Sequence, residues 1–84
     1  MILVKQLDRF RKQIQRAKLH SDSDFYAIVC ASEKLLGLTD RDLGRELRVS
    51  RSTISRWRNG ASRPVPLARK IVYDFLLKRI DLKK

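Results

Sequence analysis

The sequence has few of the residues that build metal centres, disulfides or membrane spans. Its 84 residues include one cysteine, Cys30, and one histidine, His20. A single cysteine excludes an internal disulfide and a zinc site made of several cysteines, so we expect no metal and no cofactor. Lys5 interrupts the opening apolar stretch, which is too short for a signal peptide or a membrane span. We therefore expect a cytoplasmic protein without a membrane partner.

Acidic residues are also scarce. Nine Asp and Glu face twenty Lys and Arg, which gives a formal net charge of +11. A field of this strength attracts polyanions, and nucleic acid is the class that it favours most. A chain of this length forms one modest core, so we expect a single domain over residues 1–84.

Helical periodicity runs through almost the whole chain. Apolar residues recur three and four positions apart, and no segment alternates with a period of two. Glycine, proline and N-capping residues divide the pattern into segments. We expect an all-α, compact bundle of about five helices: Ile2–Leu19, Asp24–Leu36, a helix capped by Thr39, a helix from the cap Ser50 to Asn59-Gly60, and Pro66–Leu82. Residues 1–20 then form an N-terminal amphipathic helix, residues 22–64 a core, and residues 65–84 a C-terminal helix that closes it.

Two of these helices are joined by only a few residues, Arg48-Val49-Ser50. Helices that cross steeply at so short a turn must approach closely, and Gly44 supplies a small residue for that contact. The inner sides of the pair are apolar, with Leu43, Leu47, Val49, Ile54 and Trp57 as the predicted core of the motif. The spacing predicts a helix-turn-helix.

The outer face of the helix from Arg51 to Asn59 is polar. It carries Arg51, Ser52, Ser55, Arg56 and Asn59, with no acidic and no apolar residue. Arginine pairs with guanine in the major groove through two hydrogen bonds, and serine bonds several base edges. A polar outer face is also common on solvated helices, so the composition alone does not distinguish the two.

The segment from Leu38 to Pro64 resembles the helix-turn-helix of phage repressors, the Xre type. The residues that carry the resemblance are L-T at 38–39, Leu47, V-S-R-S-T-I-S-R-W-R-N-G at 49–60 and R-P at 63–64. The resemblance extends over about Phe25 to Ile71. It implies a lambda-repressor-like core to which the N-terminal helix is an addition.

The resemblance also implies roles on DNA. Arg51, Ser52 and Arg56 take the base-reading positions, with Ser55 beside them, while Ser50 and Asn59 take positions that hold phosphates. The charges of Arg48 and Arg63 add two candidate phosphate contacts. The family usually has glycine where Arg48 stands, because that residue has a positive φ, and arginine there costs about 1 kcal/mol.

Two further positions depart from the family. Asp40 stands at the first residue of the preceding helix, which usually braces the recognition helix, but a carboxylate there does not favour a phosphate. Arg58 stands where the family often has glutamate paired with a basic residue of the first helix. Here the facing residue is Glu33, so the charges are exchanged and we expect the pair to be kept.

The flanking helices have broad apolar faces. The N-terminal stripe permits three interpretations: a dimerisation helix, a helix packed on its own globule, or a basic arm along DNA phosphates. The C-terminal helix has a wider apolar face than one contact needs, and family members commonly dimerise there. The candidate dimerisation residues are Leu3, Leu7, Phe10, Ile14, Phe75, Leu76 and Ile80.

These observations predict a sequence-specific transcriptional regulator of a bacterium or mobile element. It would bind double-stranded DNA of the nucleoid as a homodimer on an inverted repeat, with its recognition helix in the major groove. The alternative is a protein-interaction module on the same fold, either an antiactivator or a DNA-packaging or assembly adaptor. An enzyme is not expected, because no paired carboxylates, nucleophile with its base, or glycine-rich phosphate loop is present, and no small-molecule ligand is indicated.

Overall fold

A computed structural model describes residues 4–83 of the chain. The described residues form five α-helices and no β-strand. The helices are α1 (Val4–Arg16), α2 (Asp22–Leu36), α3 (Asp40–Leu47), α4 (Arg51–Arg58) and α5 (Pro66–Lys83). The predicted all-α fold class is confirmed.

Hydroxyl side chains begin three of the helices. The side-chain oxygens of Ser21, Thr39 and Ser50 each accept a hydrogen bond from the backbone N–H three residues later. These bonds satisfy donors that have no partner within the helix. The cap at Ser21 starts α2 two residues before the predicted position, at Asp22. Gly37 ends α2 with a φ of 67°, as expected of a glycine after a helix.

α1 packs into the core of its own chain. Leu7, Phe10 and Ile14 are buried, and the neighbouring helices are α2 and α5. In the structure α1 covers its own globule, which is the second of the three interpretations given above. The assignment of these residues to a dimer interface is therefore wrong, since a surface already covered within one chain is not available to a second. Leu3, the fourth candidate near the N-terminus, lies outside the described residues.

α5 turns part of its predicted dimerisation face toward the core of its own chain. Leu76 and Ile80 are fully buried inside the chain, and so they are not dimer contacts. Leu67 and Ile71 are 69% and 55% exposed. Phe75, the remaining candidate, is only partly buried. The sequence could not choose between these faces, because the direction in which α5 crosses α1 and α2 decides which side is covered.

Arg69 connects the start of α5 to the rest of the core. Its side chain is 5% exposed, and its guanidinium donates to the carbonyl oxygens of Leu19 and Pro64 and to the carboxylate of Asp22. The guanidinium carbon also lies 5.3 Å from the centre of the Phe25 ring. A buried charge with this set of partners is fully compensated, and it fixes both the α1–α2 connection and the loop before α5.

Candidate nucleic-acid interface

α3 and α4 pack against each other across the turn Arg48-Val49-Ser50. A Cβ atom built on Gly44 would lie 2.8 Å from the carbonyl oxygen of Val49. The backbone N–H of Val49 donates to the carbonyl oxygen of Gly44 at 2.9 Å. The crossing therefore requires glycine at this position, as the shortness of the turn predicts.

Arg48 has a φ of 58° and ends α3. It is the one residue other than glycine with a positive φ in the part of the chain that the structure describes. The predicted backbone conformation is thus confirmed, and arginine adopts it at a steric cost. Its side chain is exposed at the corner of the motif.

The inner side of the motif is built as predicted. Leu43, Ile54 and Trp57 are buried, while Leu47 and Val49 are partly buried against them. The Trp57 ring meets the Phe25 ring edge to face, with the ring centres 5.6 Å apart. These contacts fix the rotation of α4 about its axis, and so they determine which of its side chains face outward.

The outward residues of α4 lie together. Arg51, Ser52 and Arg56 are exposed and Ser55 is half-buried. All four line one shallow groove, and Asp40 of α3 is its fifth lining residue. The structure therefore brings together the four residues predicted to contact bases. It also adds the carboxylate of Asp40, which the helical periodicity of α4 alone does not predict.

Asp40 does not stand alone in this groove, because Arg58 neutralises it. One guanidinium nitrogen of Arg58 lies 2.7 Å from a carboxylate oxygen of Asp40, and another donates to the carboxylate of Glu33. The predicted pair of Arg58 and Glu33 is confirmed. The contact with Asp40 was missed, although the position of Asp40 at the start of α3 was a signal that it braces α4. A single arginine thereby joins α2, α3 and α4.

The four candidate phosphate residues have different surroundings. The Ser50 hydroxyl caps α4, and the Asn59 side-chain oxygen accepts from the backbone N–H of Ala61 at 3.2 Å. Arg48 and Arg63 are exposed. Arg63 lies 3.4 Å from the carboxylate of Asp22, at the edge of the surface. These side chains lie in the turn, at the two ends of α4 and in the loop that follows it.

Two carboxylates near the motif have low pKa values. The backbone N–H and the hydroxyl of Thr39 lower the pKa of Asp42. The Asp42 side chain, which accepts from the Thr39 backbone N–H, completes a capping box at the start of α3. The hydrogen bond from Arg69 lowers the pKa of Asp22. Both groups remain ionised at neutral pH and serve the scaffold.

The residues singled out for other chemistry do not gather into a site. Cys30 is half-buried with its Sγ 3.7 Å from the carbonyl oxygen of Arg58, and His20 is exposed. Within residues 4–83, no three His, Cys, Asp or Glu side chains form a group suited to a metal ion. The same residues contain no helix that is long and apolar enough to span a membrane.

Residues 33–69 match the family model described as Helix-turn-helix. The match begins in the last turn of α2, covers α3 and α4, and ends in the first turn of α5. No significant match to the chain is found among curated proteins or among solved structures.

Proposed function

We propose a function for this chain from the premise that its residues 33–69 are a DNA-binding helix-turn-helix of the Xre type, the fold of a transcription regulator. The proposal is that the chain binds double-stranded DNA sequence-specifically, as a homodimer on an inverted repeat, with α4 in the major groove. The observation that carries it is the single groove lined by Arg51, Ser52, Ser55 and Arg56.

The dimensions of α4 suit the major groove. Eight residues make a helix about 12 Å long, close to the width of about 12 Å of that groove. Arg51 and Ser52 lie in its first turn, and Ser55 and Arg56 lie one turn later on the same side. The two arginines are suited to guanine, and the serines to donors or acceptors on several bases. The four side chains supply the sequence preference.

Phosphate contacts supply most of the affinity. Arg48 and Arg63 flank the recognition helix, and Ser50 and Asn59 stand at its two ends. Contacts of this kind set the orientation of the protein on the duplex and carry no sequence information. Asp40 is tolerated beside them because its charge is compensated by Arg58.

An apolar stripe on α5 supports the homodimer. Leu67, Ile71 and Phe75 follow one another at intervals of four residues, and they are exposed or only partly buried. Packing this stripe against a second copy would remove apolar surface from water. Two α4 helices about 34 Å apart would then meet successive turns of the same groove, which explains how so small a helix gains specificity.

Selection of binding sites from random duplexes at about 150 mM salt tests the base contacts. The wild type is expected to yield a half-site motif, and Arg51→Ala and Arg56→Ala are expected to change it at defined positions. Each loss of a good arginine–guanine pair costs about 1–3 kcal/mol. Lys34→Ala, which removes an exposed charge from α2, is the control and keeps the motif. Weakening that is uniform across sequences would contradict base contact by these arginines.

Sedimentation at several concentrations tests the dimer. Ile71→Glu places a charge in the apolar stripe and is expected to give a monomer. This monomer is expected to bind an inverted repeat no more tightly than a half-site. Val4→Glu changes an exposed apolar residue of α1 in the same way and is the control. A wild-type chain that stays monomeric on an inverted repeat would refute the homodimer.

A further inference from the structure

A row of positive charges runs along α1. Lys5, Arg9, Lys12 and Arg16 are all exposed, and they are spaced four, three and four residues apart. At about 100° per residue these positions fall within about 60° of one another on the helix surface. With a rise of about 1.5 Å per residue, the row is about 16 Å long. We call these four residues the basic stripe.

The basic stripe lies opposite the side by which α1 is attached. Leu7, Phe10 and Ile14 form the buried side, and the stripe is about half a turn away from them on the helical wheel. The ion pair between Arg11 and Asp81 also attaches α1 to α5. The stripe is therefore held on a fixed helix, and its side chains point away from the body of the protein.

The basic stripe is separate from the recognition helix. α1 packs against α2 and α5, whereas α4 packs against α2 and α3, so α2 lies in contact with both α1 and α4. The ion pairs that join the helices are made by other arginines, Arg11, Arg58 and Arg69. We therefore expect a duplex held by the outer side of α4 to leave the stripe exposed.

The chemistry of the stripe favours phosphates over a protein partner. Stable protein interfaces are centred on buried apolar or aromatic anchors, and no such residue stands within the stripe. A phosphate backbone requires no anchors, because release of its counterions supplies the free energy of binding. Four cations in a straight row match the linear array of charge that a duplex presents.

We propose that the basic stripe is a second DNA-binding surface, which holds the phosphate backbone of another duplex while α4 holds its site. Contact with this second duplex does not depend on sequence, and it allows one protein to bridge two DNA segments. The second surface goes beyond the proposed function, because it requires neither base contacts nor a dimer, whereas the bridge between two duplexes rests on the proposed binding of the first by α4.

A capture experiment with the full chain tests this inference. A biotinylated duplex of arbitrary sequence is fixed on streptavidin beads, and retention of a fluorescent duplex that carries the selected site is measured at about 100 mM salt. The stripe variant is Arg9→Gln, Lys12→Gln and Arg16→Gln. The control variant is Lys18→Gln, Lys34→Gln and Lys70→Gln, which removes the same charge from exposed positions outside the stripe.

The stripe variant is expected to lose at least tenfold in retention of the fluorescent duplex, while the control keeps it. The affinity of the stripe variant for the selected site alone is expected to stay within twofold of the wild type. Equal retention by both variants, or no retention by the wild type, would overturn the proposal. The slope of log K against log salt concentration for the selected site is also informative. A decrease in its magnitude of about 0.9 per substituted residue would overturn the proposal, since the stripe would then lie on the first duplex.

A final arm separates this inference from the proposed function. Arg51→Ala combined with Arg56→Ala is expected to abolish preference for the selected site but to keep salt-sensitive binding of the arbitrary duplex. Adding the stripe substitutions to this variant is expected to weaken that binding at least tenfold, to the level that the phosphate contacts around α4 supply. If the arbitrary duplex is bound equally with and without the stripe, the second surface is absent whatever the outcome for α4.

Discussion

The guanidinium of Arg58 lies 2.7 Å from the carboxylate of Asp40 and also donates to the carboxylate of Glu33. The side chains of Arg58 and Asp40 are only 21% and 23% exposed. Their ion pair is thus less screened than that with Glu33, which is 48% exposed. Arg58 belongs to the scaffold, where it orders α4 relative to α2 and α3 and compensates an acid that lines the groove of Arg51 and Arg56.

Double-mutant cycles on this cluster are expected to show coupling. Arg58→Ala with Asp40→Ala is expected to give an interaction energy of about 1 kcal/mol in unfolding by urea. Arg58→Ala with Glu33→Ala is expected to give about half of that, because Glu33 is more exposed. Additive losses in both cycles would show that the arginine does not act through these carboxylates.

Substitution of Gly44 by alanine is expected to destabilise the fold by about 1–3 kcal/mol. The added Cβ meets the carbonyl oxygen of Val49, which is backbone and moves only if the turn changes. This cost exceeds the gain in helix propensity of about 1 kcal/mol. Urea unfolding measures the difference, and Arg45→Ala, on the exposed side of α3, is expected to change stability by less than about 0.5 kcal/mol. A stable Gly44→Ala variant would contradict the close crossing.

Arg48→Gly is expected to stabilise the protein by about 1 kcal/mol, because the residue has a φ of 58° that glycine adopts without strain. The same substitution at Arg45, inside α3, is expected to destabilise by about 1 kcal/mol. The two variants remove the same charge, so the opposite signs isolate the backbone effect. If Arg48 also contacts a phosphate, Arg48→Gly binds DNA more weakly, and the slope of its log K against log salt concentration is smaller in magnitude by about 0.9.

Phe10→Ala is expected to cost about 3–5 kcal/mol, since the side chain is 1% exposed within the core of one chain. Thermal unfolding at protein concentrations that differ a hundredfold measures whether the loss depends on association. The shift in Tm is expected to be the same at all of them. A shift that grows on dilution would return Phe10 to a dimer interface.

The pH dependence of stability is expected to include a contribution from Asp22. Its folded-state pKa lies below the ordinary value of 3.8, chiefly because Arg69 donates a hydrogen bond to it. The stabilisation by the ionised Asp22 carboxylate is therefore complete at pH values above 3.8. It is lost as the pH falls through the lower folded-state pKa. The difference in stability between wild type and Asp22→Asn is expected to shrink over that acidic range.

Arg63→Gln separates the two arginines around Asp22. Arg63 is more distant from the carboxylate and more exposed than Arg69. This variant is therefore expected to lose most of the same stability at acidic pH as the wild type. Urea unfolding between about pH 2 and pH 5 compares the three proteins. Disappearance of the pH dependence in Arg63→Gln would mean that Arg69 is not the main cause.

Much of the motif was predictable because its determinants are local. Ser50 and Thr39 cap helices through bonds to residues three positions away, and Arg48 adopts its positive φ within a turn of three residues. Gly44 was predictable from the shortness of that turn. The outward position of Arg51 and Arg56 follows from helical periodicity once Ile54 and Trp57 are buried.

Other features depend on contacts between distant parts of the chain. Arg69 reads in the sequence as one more surface arginine, yet it is buried against Leu19 and Asp22, about fifty residues before it. Asp40 stands where the family usually braces α4, but the sequence alone did not assign it that role and did not identify its partner Arg58. The dimerisation residues were assigned from apolar stripes, which do not state whether the covering surface belongs to the same chain.

The sequence by itself determined that this protein is an all-α helix-turn-helix chain with a polar, cationic recognition helix, because caps, turn length and periodicity act over a few residues. The tertiary structure alone decided that α1 covers its own core and that α5 leaves Leu67 and Ile71 exposed. It also decided that Asp40, paired with Arg58, lines the same groove as Arg51 and Arg56. These features follow from the angles at which helices cross, which are set by packing among side chains far apart in the chain.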